Sequence, residues 1–492
     1  MVKILFILSA FFMGLAQQPW GLGFLAWVSF IPCLYFFNTQ SNIKSVIGYA
    51  FLWGFIYHLT FLYWLSGNVG MPTEFLKYLT MILVPSFLAL NMVVVFFLYF
   101  ILKKYFDNYY IIYILPFIIV SIEFLRSFGL YGFTWNSFSY TQSDYLIVAQ
   151  NIEYTGMYGL SFWIVLINVI IYDLINNFSK TKVYILILSF WFPWVTGIII
   201  KSSYNDNSPT LNVKVVQPNI SLEDKRNNLM GSVEILIDLS EKTSNSSVDL
   251  IIWPEASIPG FFIKDNQYNR QVSYEMNTFL NRNKFLVTGL DLKDNDKKYN
   301  AAALFKNTSL VNVYHKQRLV PNVEYTPGIF DTFGLNLGSI QNFDIGTELS
   351  LFNVNGHDFA SMICIESIFP NPTRSFVDKG AKFIVYIVND GWYETAPEPQ
   401  QHAKRCIYRA IENRRSVIRC ANTGISMIID PYGNIIEESK LNTKDVIEES
   451  IKISDEKTFY TKYGDLFSVV NVIILLLMGL SIIFRKFYGK LK

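Results

Sequence analysis

Three side chains with acid, base or nucleophilic chemistry each stand at the end of an apolar run typical of a strand. Glu255 follows Ile-Ile-Trp-Pro, Lys316 follows Val-Asn-Val-Tyr-His, and Cys364 follows Ala-Ser-Met-Ile. Catalytic groups of α/β sheets gather beyond the carboxyl ends of strands, so these three residues can meet at one edge. Taken singly, each also fits a structural role: a core cysteine, a turn glutamate and a solvated lysine.

Together, the three residue types fit nucleophilic catalysis by a cysteine. The thiolate is the attacking form; a nearby ammonium lowers the thiol pKa, and a carboxylate takes the proton. Glu255 would be this base and Lys316 the cation. Lys316 and the backbone N–H of Ile365 would stabilise the oxyanion of a tetrahedral intermediate.

The segment that carries these residues has the pattern of an α/β domain. Buried strands are predicted at 249–253, 284–289 and 382–389, and a helix at 400–415. Residues 351–364 predict a hairpin that turns at Asn355-Gly356. Residues 416–436 predict a final hairpin whose turn lies around 430–433. Strands interleaved with helices indicate a layered α/β sandwich.

The rest of the chain has the composition of a membrane protein. Hydrophobic residues make up 51% and charged residues 16%, whereas soluble chains carry about 25% charged residues. Apolar runs that approach the length needed to cross a bilayer lie at 4–17, 22–37, 46–66, 78–102, 109–128, 157–177, 183–200 and 466–484. We predict a polytopic α-helical membrane domain of about seven spans (1–203), an extramembrane catalytic domain (204–462), and a closing span with a short cytoplasmic tail (463–492).

The distribution of basic residues predicts the orientation of these spans. If the N-terminus is cytoplasmic, the inside segments hold ten basic residues: Lys3, Lys44, Lys103, Lys104, Lys180, Lys182, Arg485, Lys486, Lys490 and Lys492. The outside loops before the large domain hold three: Lys77, Arg126 and Lys201. This asymmetry places the catalytic domain outside the cytoplasm. The first run also fits the apolar region of a signal peptide, but Pro19-Trp20 is a poor cleavage context, so we expect a retained span.

Charge and cysteine content exclude several other classes of protein. A net charge of +2 gives no basic face for nucleic acid. The four cysteines, at 33, 364, 406 and 420, are too few and too scattered for a disulfide framework. The sequence has no C-x-x-C or H-x-x-H spacing, so we expect neither a metal nor another cofactor.

Short motifs around the three reactive residues resemble the signatures of the nitrilase superfamily. They occur in the superfamily's order: Trp253-Pro-Glu255, Tyr314-His-Lys316-x-x-Leu319-Val-Pro321 and Met362-Ile-Cys364-x-Glu366. The resemblance implies a nitrilase-like αββα sandwich with a catalytic triad of Glu255, Lys316 and Cys364.

The flanking spans make the chain resemble one branch of that superfamily, the apolipoprotein N-acyltransferases. Further matching motifs are Val216-Gln217-x-Asn219-Ile220, Glu324-Tyr325-x-Pro327, Asn389-Asp390-x-Trp392, Asn422-x-Gly424-Ile425, Gly132-Phe-x-Trp135 and Gly156-x-Tyr158. The resemblance covers essentially the whole chain. It implies a multi-pass protein of the bacterial inner membrane with a periplasmic catalytic domain.

The resemblance also implies the reaction and its partners. An acyl chain would pass from a glycerophospholipid to Cys364 as a thioester, and then to the α-amine of a diacylglyceryl-cysteine that begins an apolipoprotein. Glu324 would support the triad, while Glu366 and Trp392 would shape the site or its cover. We expect the chain to work in the bilayer as a monomer.

Three positions depart from the family pattern, and two other functions stay open. Ile365 replaces a usual Tyr, Val323 a usual Gly, and Arg226 a usual aromatic residue. A membrane-tethered amidase would use the same triad and resolve the thioester with water. A transporter with an external ligand-binding domain would instead predict paired charges and an internal repeat among the spans, and no repeat is clear.

Overall fold

The chain forms two compact units, which are described separately below. The computed structural model describes residues 2–489 except 107, 130, 204–207, 243–246, 263–266, 281–283, 295, 308, 322, 326–341 and 394–396. The helical unit comprises Met1–Tyr204 with Tyr463–Lys492, and the sheet unit comprises Asn205–Lys462.

All eight apolar runs predicted from the sequence are helical. Five of these helical segments are long and apolar enough to cross a membrane: Ile43–Gly67, Glu74–Tyr105, Tyr158–Asn176, Lys180–Ser203 and Leu466–Arg485. Three are shorter: Val2–Ala16, Gly23–Asn38 and Tyr109–Leu125. Two further short helices, Leu146–Ala149 and Ile152–Thr155, precede the Tyr158 helix. A helix satisfies its backbone polar groups internally, which is what hydrocarbon requires.

The outer and inner faces of the helical unit differ in chemistry. Leu188 and Phe192 leave 70% and 66% of their surface uncovered, as suits contact with lipid. Inside the unit, Gln17 Nε2 donates to Tyr57 Oη, and Tyr57 Oη donates to the carbonyl of Asn136, at 2.9 and 2.8 Å. His58, whose partner the sequence does not reveal, bonds to Asn136 and to the carbonyl of Gly54. These bonds satisfy polar groups that would be costly in an apolar interior.

The sheet unit contains two sheets. The strands of the first are β1 Thr210–Gln217, β2 Leu250–Ile252, β3 Ile258–Phe262, β4 Phe285–Asp294, β5 Lys297–Lys306, β6 Ser309–His315 and, much later, β13 Asp445–Lys452. The strands of the second are β7 Phe352–Val354, β8 His357–Ile363, β9 Ile384–Val388, β10 Val417–Ala421, β11 Met427–Ile429 and β12 Ile435–Glu438. Their spatial orders are β13-β1-β2-β4-β5-β6, with β3 beside β4, and β12-β11-β10-β9-β8-β7.

Helices cover the two sheets, and the sheets face each other. The helices of this unit are Leu222–Asn227, Leu229–Glu241, Gln267–Leu280, Pro370–Lys379, Glu398–Asn413 and Phe459–Tyr463. On the first sheet, Leu236 and Met276 from two of these helices pack with Trp253 in one apolar core. Between the sheets, the buried Cys420 thiol of β10 lies 3.4 Å from the carbonyl oxygen of Val216 in β1. The predicted fold class, a helical membrane domain plus an αββα sandwich, is confirmed.

Most predicted elements of the sheet unit form, with one error near its end. The strands predicted at 249–253, 284–289 and 382–389 form as β2, β4 and β9, and the helix predicted at 400–415 forms as Glu398–Asn413. The Asn355-Gly356 turn joins β7 to β8, with φ angles of 52° and 83°. Residues 416–436, however, form three strands: β10 pairs with β11, and β11 pairs with β12. The predicted hairpin around 430–433 forms between β11 and β12, but its first arm is shorter than predicted, because residues 422–426 make an additional turn.

Candidate active site

Strand direction brings Glu255 and Lys316 to the same edge of the first sheet. β2 and β4 are parallel, and β4 reaches β6 through two antiparallel pairings with β5, so β2 and β6 run the same way. Glu255 follows β2, and Lys316 follows β6 directly. Sheet topology therefore brings together side chains that lie 61 residues apart.

The Lys316 ammonium is the buried centre of the cluster. Its side chain is 1% exposed, and Nζ lies 3.2 Å from Glu255 Oε1 and 2.8 Å from Glu324 Oε1. Burial alone would lower the pKa of Lys316, but the Glu255 and Glu324 carboxylates raise it above its usual value. Lys316 is therefore a permanent cation at neutral pH.

Asn300 of β5 links the two carboxylates. Its Nδ2 donates to Glu255 Oε1 at 2.7 Å and to Glu324 Oε1 at 2.8 Å. The backbone N–H of Lys316 donates to the Asn300 carbonyl at 2.9 Å. Sequence reasoning missed Asn300, although an amide in the otherwise apolar run Tyr-Asn-Ala-Ala-Ala-Leu is a usable signal. Its two N–H donors hold both carboxylates against the ammonium.

Cys364 occupies a strained position where β8 passes into a short helical turn, Cys364–Ile368. Its φ angle is 50°, in the left-handed region that residues with a Cβ seldom adopt. Strain of this kind persists where the surrounding structure enforces it, often at functional sites. The next residue, Ile365, lies in the first turn of this helical segment, where backbone N–H groups have no partner within the helix.

The charges around Cys364 keep its thiol protonated at rest. Burial raises the pKa of the Cys364 thiol well above its usual value, and the Glu255 carboxylate raises it further. Lys316 lowers this pKa, as the sequence predicted, but the other two effects outweigh it. The net effect of these groups is a raised pKa. Attack by sulfur consequently needs a base that removes the proton as the new bond forms.

Glu366 ties the cysteine turn to the segment after Lys316. Its Oε2 accepts the Ile363 N–H at 2.8 Å, and its Oε1 accepts the Gln317 N–H at 2.7 Å and the Tyr314 hydroxyl at 2.7 Å. Burial raises the pKa of Glu366, while these hydrogen bonds oppose that rise. The side chain is fully buried, so the geometry gives it a positioning role.

The turn that carries Glu255 depends on a second buried lysine. Lys225 Nζ donates to the carbonyls of Glu255 and Ala256, at 3.3 and 3.1 Å, and Ala256 has a φ of 51°. Burial lowers the pKa of Lys225 to about 8, and burial also raises that of the neighbouring Asp291 carboxyl to about 7. A Cβ on Gly289 would lie 2.6 Å from the Glu255 Cα, so only glycine fits against this turn.

The remaining predicted positions are placed as follows. Trp392 lies in the turn after β9, and its side chain is half-buried. Val323 lies in a tight turn in which its N–H and that of Glu324 both donate to the Val320 carbonyl, at 3.2 and 2.9 Å. The Arg226 side chain and Pro327 lie outside the described residues.

A cluster of buried polar side chains lies behind Cys364. Among the described residues, Asp390, Glu398 and His402 are the group whose ligand atoms lie close enough to hold a metal. Arg419 Nη2, however, lies 2.7 Å from Asp390 Oδ2 and 3.2 Å from His402 Nδ1. The guanidinium already supplies the positive charge that a metal would bring, so the cluster is a hydrogen-bond network.

Comparisons with known proteins cover most of the chain. Residues 9–170 match the apolipoprotein N-acyltransferase N-terminal domain, and residues 212–459 match the carbon-nitrogen hydrolase domain. The apolipoprotein N-acyltransferase of Rickettsia typhi is 30% identical over 98% of this chain and 99% of its own. This chain belongs to the apolipoprotein N-acyltransferase family.

A second relative and one solved structure are also similar to this chain. The apolipoprotein N-acyltransferase of Geobacter metallireducens is 27% identical over 94% of this chain and 91% of its own. Among solved structures, Nit3 of Saccharomyces cerevisiae, a member of the nitrilase superfamily, is 20% identical and covers 49% of this chain and 90% of its own, with a TM-score of 0.38. Family membership together with the apolar helices of the described residues makes this chain a bacterial membrane protein.

The charges at the site predict opposite effects of two substitutions on the Cys364 thiol. Glu255→Gln removes a negative charge and should lower the pKa of the thiol, whereas Lys316→Met removes a positive charge and should raise it. The measurement is the rate of iodoacetamide alkylation of the Cys364 peptide between pH 7 and pH 11, by mass spectrometry of the full-length protein. Melting temperatures control for folding. Equal midpoints in the two variants would contradict this electrostatic arrangement.

Proposed function

We propose that the chain is a phospholipid-dependent apolipoprotein N-acyltransferase in which Glu255, Lys316 and Cys364 are the catalytic residues. It takes an acyl chain from a glycerophospholipid and passes it to the α-amine of the diacylglyceryl-cysteine at the start of an apolipoprotein. The observation that carries this proposal is the buried Lys316 ammonium, held by two carboxylates beside a strained cysteine. Family membership over the whole chain supports the assignment of substrates.

In the first half-reaction, Cys364 Sγ attacks the ester carbonyl of the phospholipid while Glu255 accepts the thiol proton. The Lys316 ammonium and the Ile365 N–H stabilise the oxyanion. When the tetrahedral intermediate collapses, the glycerol oxygen leaves, and Glu255 returns the proton to it. The products are a thioester on Cys364 and a lysophospholipid.

In the second half-reaction, the neutral α-amine of the apolipoprotein attacks the thioester carbonyl. Glu255 accepts a proton from the amine, the thiolate leaves, and the proton passes to sulfur. An amide forms and the thiol is restored, with no oxidation or reduction in either half-reaction. Covalent storage of the acyl chain means that two bulky lipids need not occupy the site together, which gives ping-pong kinetics.

The other two functions have weaker support. An amidase would resolve the same thioester with water, yet the relatives that match over the full length carry the acyltransferase name. A transporter has no need for a buried Glu–Lys pair beside a cysteine at a strand end. One chain holds all the proposed catalytic residues, which supports catalysis by a monomer.

The inner membrane, with the sheet unit on the periplasmic side, is the proposed location. The excess of Lys and Arg in the predicted inside segments supports this orientation. The donor is a membrane lipid and the acceptor is held in the membrane by its diacylglyceryl group. A site at the outer surface of that bilayer can therefore reach both.

The proposed mechanism predicts an isolable acyl-enzyme. Full-length protein incubated with phospholipid alone should gain one acyl chain on Cys364 and release one equivalent of lysophospholipid. A diacylated lipopeptide should then remove the chain and appear as its N-acyl product. The measurement is mass spectrometry of intact protein and of the Cys364 peptide.

Two variants test which residues the formation of the thioester requires. Cys364→Ser should form no thioester, and Glu255→Gln should form it about 10²–10⁴ times more slowly. Cys33→Ala changes a buried thiol in the helical unit and serves as the control. Release of lysophospholipid only when donor and lipopeptide are both present would exclude the ping-pong mechanism.

The proposed orientation predicts the labelling of introduced cysteines. Glu437→Cys lies on the exposed strand β12, and Asn177→Cys lies in the exposed segment between two membrane helices. In intact spheroplasts, a membrane-impermeant maleimide should label Glu437→Cys above the level of the parent chain. Asn177→Cys should react only after permeabilisation. The reverse pattern would place the sheet unit in the cytoplasm.

A further inference from the structure

The peptide group between Cys364 and Ile365 is held from its carbonyl side by buried polar side chains. Ser367 Oγ lies 2.9 Å from the Cys364 carbonyl oxygen, and His402 Nε2 lies 3.3 Å from the same oxygen. Ser367 Oγ and His402 Nε2 are themselves 3.0 Å apart. A hydroxyl often bonds back to the carbonyl three residues earlier; here the buried His402 imidazole also lies against that hydroxyl and can fix its direction.

His402 is in turn fixed by a charged pair. Its Nδ1 lies 2.9 Å from Asp390 Oδ1, and Arg419 Nη2 donates to Asp390 Oδ2 at 2.7 Å. Burial would raise the pKa of Asp390, but Arg419 and His402 hold it below its usual value. An ionised Asp390 accepts the Nδ1 proton, which leaves the Nε2 lone pair facing the Ser367 hydroxyl. The serine proton then bridges Nε2 and the Cys364 carbonyl in a three-centre hydrogen bond.

The same peptide group carries the proposed oxyanion donor. A peptide unit is planar, so fixing the Cys364 carbonyl oxygen also fixes the direction of the Ile365 N–H on its opposite side. A hydrogen bond to the carbonyl polarises the group and strengthens its N–H as a donor. The left-handed φ of Cys364 makes this support necessary, because the backbone conformation is not one that cysteine prefers.

We infer that Ser367 and His402 are positioning residues that hold the Cys364–Ile365 peptide group, and through it the oxyanion donor, in its active orientation. This role rests on the proposed function. Asp390 and Arg419 set the tautomer and orientation of His402, as the partner of a catalytic or ligating histidine often does. The Asn389-Asp390-x-Trp392 motif therefore contributes to the site through Asp390 as well as through Trp392.

The test compares Ser367→Ala, His402→Phe and His402→Gln in full-length protein. Two quantities are measured: the single-turnover rate of thioester formation over a range of phospholipid concentrations, and the C=O stretching frequency of a ¹³C-labelled acyl thioester. We expect Ser367→Ala and His402→Phe to lower the maximal rate about 10- to 100-fold, less than outright loss of an oxyanion donor. The half-saturating donor concentration should not change, and the stretch should move to higher frequency. His402→Gln, which can still form a hydrogen bond, should recover part of the lost rate and part of the shift in stretching frequency.

Thr458→Val is the matched control. Thr458 Oγ1 donates to the Glu412 carbonyl at 2.6 Å, so this change removes a buried hydrogen bond at the far end of the helix that carries His402. It should lower the melting temperature without moving the stretching frequency. If His402→Phe does not fold, Ser367→Ala decides the question, because it removes only one oxygen.

The outcomes separate this inference from the proposed function. If the unsubstituted protein forms no thioester on Cys364, the proposed function fails. If that thioester forms but Ser367→Ala acylates at the unsubstituted rate with an unchanged C=O frequency, the positioning role is overturned and the proposed function stands.

Discussion

The site is built around one buried charge, the Lys316 ammonium, which needs carboxylate partners in the interior of the sheet unit. Glu255 and Glu324 provide them at 3.2 and 2.8 Å, and Asn300 holds both acids in place. Removing one partner of a buried ion pair typically costs about 3–5 kcal/mol, because the other charge is left uncompensated. The groups that would perform the chemistry are therefore also the groups that allow Lys316 to be buried.

This arrangement determines the state of the cysteine and of the backbone beside it. Burial and the nearby Glu255 carboxylate outweigh the Lys316 ammonium, so the thiol keeps its proton until a substrate is attacked. The turns that hold Glu255 and Cys364 contain left-handed residues, Ala256 and Cys364 itself. Lys225 supports the first turn, and the hydrogen bonds of Ser367 and His402 support the second. Side chains of buried polar residues thus stabilise backbone conformations that the sequence alone would not favour.

Much of this was predictable from the sequence, and the remainder depends on contacts between distant segments. Strand-end position and short motifs predict Glu255, Lys316 and Cys364, and apolar runs predict the eight helical segments. Asn300 was missed: its amide in an apolar run is a signal, but its two carboxylate partners come together only when β5 pairs with β4 and β6. The net rise in the pKa of the Cys364 thiol was also missed, since motif reasoning counts charges without the cost of burial. The hairpin at the Asp-Pro-Tyr-Gly turn forms, but its first arm starts later than predicted, because residues 422–426 make an additional turn.

The central claim, that Glu324 acts on Cys364 by holding Lys316, is tested most directly by a double-mutant cycle. The rate of thioester formation is measured in Lys316→Met, Glu324→Gln and the double variant. If Glu324 works through Lys316, adding Glu324→Gln to Lys316→Met should change the rate by no more than about two- to threefold. If the two single losses multiply in the double variant, Glu324 acts independently of Lys316, and the claim is contradicted.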